Sequence, residues 1–375
     1  MPNNKRHHFV PQFYLRRFSS DEKSIDLYNH RIGKVISQAP ISKQSYQNYL
    51  YGRDNILEKY LDEHTERPAS EALSAVERAT THTQVSTDEW ISILLFLTVQ
   101  IERTVKRLLW VKNIHNVVRP HYDDMWQGID KSREIDEETL IQKSVERAIR
   151  TYPYVSDLAA IKLVTNQKAQ FITSDSPVVL NNEYAADVAG VTTTAYAMPG
   201  LQIILPIGKH MALMLYDQTT YSRLHSKKFI LRVSDCTVSE VNKLSIENSH
   251  QNLYLGRDFD QSQIARLLSG AKSETAQVNY RRGLESVEAG SREYLQAHQQ
   301  DRSRCLQIQQ TSRVYRRCQK RGTDLSASHR NTTLCDDGKA FQDAIKNGKY
   351  EKEKFNLYLA DKYGSYPQYK TVWSP

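Results

Sequence analysis

No apolar run in the chain approaches the length needed to cross a bilayer. The longest, ISILLFLTV from Ile91 to Val99, is about half of that length. A secretion signal would need an unbroken apolar core and a small-residue cleavage site, and neither is present near the N-terminus. A cytoplasmic protein without membrane contact is therefore expected. Cysteine is scarce: Cys236, Cys305, Cys318 and Cys335 lie apart, with no C-x-x-C pair. That excludes a disulfide framework and predicts reduced thiols. The spacing gives poor support to a zinc site from the last three with His298 or His329. Also missing are H-E-x-x-H, a Walker loop and a G-x-G-x-x-G after a strand. Metalloprotease, P-loop and dinucleotide-binding chemistries are disfavoured accordingly. No internal repeat is visible.

What is present fits a globular protein of one large or two ordinary domains, with 375 residues and a mean hydropathy of −0.63. The net charge of +8 is unevenly spread. Between Arg302 and Arg330 there are eight Lys or Arg against one acid, Asp324. The remainder is close to neutral. A nucleic-acid partner is thus expected through Arg302–Arg330, by attraction to the phosphate backbone.

Along the chain, short apolar runs on either side of NHRIGK predict a β-hairpin turning at Gly33. Periodicity predicts a helix over 56–79, kinked or split by Pro68. Ser86 with Glu89 forms a capping box before a helix expected from about Asp88 to Asn116. Another helix is expected over 137–151. Runs rich in Ile, Val, Leu and Phe between 158 and 233 read as strands. Helices follow over 237–252 and 261–268. The expected architecture is α+β: an N-terminal β-hairpin, a helical middle, a mostly antiparallel sheet and an irregular basic C-terminal extension. One domain would span 1–270. The extension, 271–375, would be partly disordered over 303–333 and weakly helical over 339–363.

Three stretches could carry chemistry. The first is KRHHFVPQFYLRRF, with His7, His8, Gln12 and Tyr14 among aromatics and Pro11 able to start a helix. In an extended segment the two imidazoles face opposite sides, so at most one reaches a given site. The plain alternative is a buried, hydrogen-bonded histidine. The second is Gln100, Arg103, Thr104 and Arg107, which share one stripe of the expected helix. Arg103 and Arg107 would clamp a phosphate or carboxylate, or simply line a solvated face. The third is FITSDSPVVL, where Asp175 would orient a histidine, hold a metal, or cap a turn. Ser174 is a weaker nucleophile candidate because Ile172 and Ser176 stand where a nucleophile elbow needs glycines.

Taken together, HHFVPQFYLRRF, Gln100 to Arg107, and FITSDSPVV followed by LQIILPIGKHMALML resemble the bacterial family catalogued as domain of unknown function 4238. Its members open with His-His-x-Val-Pro-Gln-x-Tyr-Leu, matched here by His7, His8, Pro11, Gln12, Tyr14 and Leu15. Gln100, Arg103, Thr104 and Arg107 match its middle helix, with Val105 where proline is common. Thr173, Ser174, Asp175, Pro177 and Val178 match its Thr-Ser-Asp-x-Pro-Val turn. Pro206-Ile207-Gly208-Lys209 departs from its Pro-Leu-Ser-Pro turn. The resemblance spans about Lys5 to Phe259 and implies motif positions without a reaction.

The expected function is phosphate-ester cleavage, nuclease-like. His8, preferred over His7 because it adjoins Pro11, would be the acid/base and Asp175 its orienter. Gln12, Tyr14, Gln100, Arg103, Arg107 and Thr173 would contact substrate. The cofactor is left open, with a divalent metal among the candidates. The alternatives are a non-catalytic nucleotide or nucleic-acid binding module, or a purely structural polar core.

Overall fold

The computed structural model describes residues 5–118, 136–165, 169–185, 194–221, 229–256, 259, 261–269, 277–287, 290–300 and 330–363. The fold is α+β. The chain opens with β1 (Arg6–His8), α1 (Gln12–Arg16) and the expected hairpin of β2 (Ser24–Asn29) and β3 (Lys34–Pro40). Gly33 turns the hairpin with φ +65°, a backbone conformation open to glycine at no steric cost. A fourth strand, β4 (Tyr46–Asn48), pairs antiparallel with β1.

Helices fill the middle. Over 56–79 the chain forms α2 (Ile56–Leu61), a π-helical turn (Asp62–Glu66) and α3 (Arg67–Arg78). Pro68 sits in the first turn of α3, where its missing N–H is harmless, so the irregularity falls on the turn before it. Ser86 and Glu89 form the reciprocal capping box at the start of α4 (Thr87–Glu102). The expected single helix is broken: Arg103 leaves the helical region at φ −92°, ψ 1°, and α5 (Val105–Val118) restarts beyond it. Next comes α6 (Glu137–Thr151).

Two sheets follow, from β5 (Ala159–Val164), β6 (Thr173–Ser174), β7 (Val179–Asn181), β8 (Gln202–Gly208), β9 (Met211–Tyr216), β10 (Ile230–Arg232) and β11 (Asn252–Leu255). The larger runs β10-β5-β9-β8-β7, antiparallel except where β10 meets β5. The smaller runs β3-β2-β11-β6, all antiparallel. The short β11 is therefore a central strand, between β2 and β6. Between β10 and β11 lies α7 (Asp235–Asn248), capped by Ser234, and after β11 comes α8 (Gln261–Ser269).

The larger sheet is covered on both faces, which is why its strands read as near-continuous apolar runs. Leu213 and Leu215 of β9 join the main core with Leu94, Phe96 and Ile141. Met214 and Tyr216 face a second core with Val238 and Val241 of α7. Lys162 of β5 points into the main core side, a costly place for an ammonium unless its donors are met. They are: Nζ donates to the carbonyls of Val76 (3.0 Å), Glu77 (2.8 Å) and Ala79 (2.6 Å) at the C-terminal end of α3.

The C-terminal region holds a long hairpin, β12 (Gln277–Val287) with β13 (Gly290–Gln300), then α9 (Thr332–Lys346) and α10 (Phe355–Tyr363). The weak helix expected over 339–363 is thus two helices, separated after Gly348 takes φ +67°. Phe341, Phe355 and Leu359 enter the main core. Arg330 anchors this return. Its guanidinium grips Asp157 bidentately at 2.7 and 2.9 Å and donates to the carbonyls of Tyr154 and Met198. With its side chain 3 % exposed, Arg330 is not a surface cation for nucleic acid. Most of the basic segment lies outside the described residues, as do Cys305, Cys318 and His329. Among the described residues no helix is long and apolar enough to cross a membrane.

Arg330→Ala strands a buried carboxylate, and the expected loss is about 3–5 kcal/mol of stability. Chemical denaturation measures it. Hydrogen exchange should then show 332–363 losing protection first.

Candidate functional site

β1 alternates as expected. His7 points inward and is fully buried, stacked on Tyr51 at 5.5 Å between ring centroids. Its Nε2 is 2.7 Å from Asn55 Oδ1, and Nδ1 accepts the Tyr51 backbone N–H at 3.1 Å. A backbone N–H can only donate, so the ring proton belongs on Nε2. His8 takes the other side and the other tautomer. Its Nδ1 donates to the Gln44 carbonyl at 3.0 Å, and Nε2 accepts from Gln12 Nε2 at 3.0 Å. Gln12 in turn accepts from Arg16 Nη2 at 3.2 Å. Burial pushes the His8 pKa down, and the positive charges of Arg103, Arg6 and Arg16 push the same way. His8 bridges β1 to the loop before β4.

The break after Glu102 splits the predicted stripe. Gln100 donates to the Phe9 carbonyl at 2.7 Å and accepts from Arg103 Nε at 2.8 Å. Arg103 is fully buried, and its Nη1 meets Glu66 Oε1 at 2.7 Å. Burial opposes its charge, but the Glu66 carboxylate more than restores it, and its pKa is raised. Arg107 turns elsewhere. It pairs with Glu102 at 2.9 Å and lies 3.7 Å over the Trp110 ring. The expected Arg103–Arg107 clamp is therefore not assembled, because the two no longer share a helix.

Thr173, Ser174 and Asp175 serve the sheet. The buried Tyr14 hydroxyl donates to the Pro206 carbonyl at 2.6 Å and accepts from Thr173 Oγ1 at 2.8 Å. Burial raises its pKa. Ser174 is buried, and its Oγ accepts the Ser176 N–H at 3.1 Å, so it is not presented as a nucleophile. Asp175 spends both carboxylate oxygens on the backbone N–H groups of His250 (2.8 Å), Gln251 (2.7 Å) and Asn252 (2.9 Å). It holds the turn between α7 and β11. The expected His8–Asp175 couple is not formed. The Asp175 charge acts instead on the imidazole of His30. His30 Nε2 lies 2.7 Å from Ser249 Oγ, whose own proton goes to the Ile246 carbonyl at 2.6 Å. His30 therefore donates through Nε2. Burial lowers its pKa, with Asp175 pulling the other way.

A cleft of about 570 Å³ opens over the smaller sheet. Pairing in register sets its floor, with Ile36 beside Leu27 and Asn29 beside Asn252. Its walls include Phe9, the 43–47 loop, Val105 and the 250–252 turn. One residue from each of the three stretches reaches the cleft: Phe9, Val105 and Asp175. The family model described as a protein of unknown function (DUF4238) matches residues 6–259, more than half of the chain. The chain belongs to this family. No curated protein and no solved structure matches it.

In this DUF4238 chain, several polar residues of the site were not anticipated. Glu66 is presented by the π-helical turn, a geometry with no sequence signal. Asn55, which receives His7, starts α2 at φ +58°. Glu58, on α2, is a strongly perturbed carboxyl. Its pKa is pushed up to about 7 by burial and by the Glu66 charge, despite Arg103 nearby. Its Oε2 and Arg103 Nη2 are both buried without a hydrogen-bond partner. Its spacing after Asn55 was the only available hint. Among the described residues no group of three or more His, Cys, Asp or Glu is placed to hold a metal ion.

A carboxyl whose folded pKa is raised binds its proton more tightly when folded, so stability falls as pH rises from about 4.5 to about 7. In Glu58→Gln this fall should vanish, and above pH 7 the variant should be the more stable by roughly 1–3 kcal/mol. Urea titrations at pH 5 and pH 8 read the difference. Asp175→Ala strands three backbone N–H groups and should cost roughly 2–4 kcal/mol, measured in the same titration.

Proposed function

We propose that the protein is a binding module for a nucleotide seated in the cleft. The observation that carries this reading is the division of the cleft walls. Phe9, Leu27, Ile36, Ala39 and Val105 give one apolar region large enough for a base. Lys43 and His250 are exposed at its border, suited to a phosphate. Asn29 and Asn252 are locked to each other at 2.7 Å, which makes the polar part of the floor rigid. Against this, the residues of the three stretches act mainly as the polar frame behind the cleft.

Phosphate-ester cleavage is the second reading, and it moves to the same cleft. What favours it is the exposed His250 beside Asp175, with His30 on the neighbouring strand end. His250→Ala should then abolish cleavage of RNA or DNA, assayed with and without divalent metal, while leaving the melting temperature unchanged.

Titration calorimetry with the four nucleoside monophosphates tests the binding reading. Micromolar to millimolar affinity is expected for at least one. Ile36→Glu, at a half-exposed position on β3, should weaken it tenfold or more by placing a charge in the base pocket. If no nucleotide binds, or the variant binds equally, the cleft does not hold a nucleotide.

A further inference from the structure

The two-stranded ribbon of β1 and β4 carries cations on tyrosine rings. Opposite pairs run His8 with Tyr46, His7 with Gln47 and Arg6 with Asn48, and the Tyr49 N–H closes the end on the Lys5 carbonyl at 3.0 Å. Arg6 and Lys5 are exposed. The Arg6 guanidinium stands 5.1 Å from the centre of the Tyr46 ring, and His8 meets the same ring edge-on at 5.8 Å. Farther along, Lys5 at 6.0 Å and Arg53 at 4.9 Å both approach the Tyr49 ring. Among the described residues no carboxylate pairs with Lys5, Arg6 or Lys43.

This surface is continuous with the cleft, because Tyr46 and Gln47 of β4 line it and Lys43 stands at its border. From the cleft outward come Lys43, Tyr46 and Arg6, whereas Tyr49 with Lys5 stands on the other face of the ribbon, where Tyr49 meets His7 edge-on at 6.3 Å. Aromatic faces next to unpaired cations suit a chain that offers bases for stacking and phosphates for charge pairing. A duplex keeps its base faces stacked inside, and an acidic peptide offers none. We infer that the β1–β4 ribbon is a docking surface for single-stranded nucleic acid. One nucleotide enters the cleft while its neighbours run along the ribbon over Tyr46 and Arg6. The cleft end of this track rests on the nucleotide reading above; the ribbon end does not.

Fluorescence anisotropy on the full chain tests it, using a labelled twelve-nucleotide single strand (DNA and RNA) and the matching duplex over a salt series. The single strand should bind at least tenfold more tightly than the duplex. Lys5→Glu combined with Arg6→Glu should weaken it tenfold or more, and Tyr46→Ala about tenfold, a stacking loss of one base. Arg6→Ala should reduce the slope of log affinity against log salt by about 0.7. Equal binding by wild type and ribbon variants would overturn the inference, leaving the basic segment 302–330 to account for any affinity. Preference for duplex, or no binding at all, would overturn it too. Mononucleotide titration separates the two readings. If mononucleotides bind but longer strands gain nothing, the ribbon fails and the cleft stands. If strands bind through Arg6 and Tyr46 while mononucleotides do not bind and Ile36→Glu has no effect, the ribbon stands and the cleft fails.

Discussion

A guanidinium cannot be buried without partners, and the N-terminal half of this protein is arranged around supplying them to Arg103. The π-helical turn brings Glu66, and the last turn of α4 brings Gln100. Gln100 uses its other end on the Phe9 carbonyl, so the ion pair fixes the strand that carries His7 and His8. Phe9 N–H is held by the Ser45 carbonyl, and Ser45 Oγ meets the Tyr254 hydroxyl at 2.6 Å in the smaller sheet. A single chain of contacts thus runs from the helices through β1 to the sheet. In a low-dielectric interior the loss of one member leaves the next without its partner.

The same dependence shapes the cleft. The two histidines fasten β1 on both of its sides, one to Asn55 and Tyr51, the other to Gln44. With β1 held, Phe9 forms one wall. The break at Arg103 sets Val105 on another, and Asp175 gathers the turn that brings His250 to the border. The polar residues that look catalytic in sequence mostly build the frame, and the residues that a ligand would meet lie one or two positions away from them. Glu58 stands apart from both groups: its half-buried carboxyl lies near Glu66 and Arg103, and burial pushes its pKa up to about 7.

Local features were legible because their causes are local. The hairpin turning at Gly33, the capping box of Ser86 and Glu89 and the apolar strands of the larger sheet all depend on near neighbours. The opposite facing of His7 and His8 followed from strand alternation alone. The stripe of Gln100, Arg103 and Arg107 misled for a definite reason. It assumed an unbroken helix, and the burial of Arg103 against Glu66 ends that helix. Arg330 misled similarly, since a basic run gives no sign that its last arginine closes on Asp157.

The amino-acid sequence by itself determined the α+β class, the order of most elements and some of the polar residues at the centre, among them His7, Gln100 and Arg103 but not Asn55, Glu58 or Glu66. These follow from periodicity, caps and turn residues within a few positions of one another. Only the tertiary structure decided which polar group meets which. Asp175 binds backbone N–H groups instead of His8, and Arg103 meets Glu66 instead of standing beside Arg107. Such pairings join segments tens or hundreds of residues apart, and they are chosen by the cost of leaving any buried polar group unmet. No spacing along the chain records that cost.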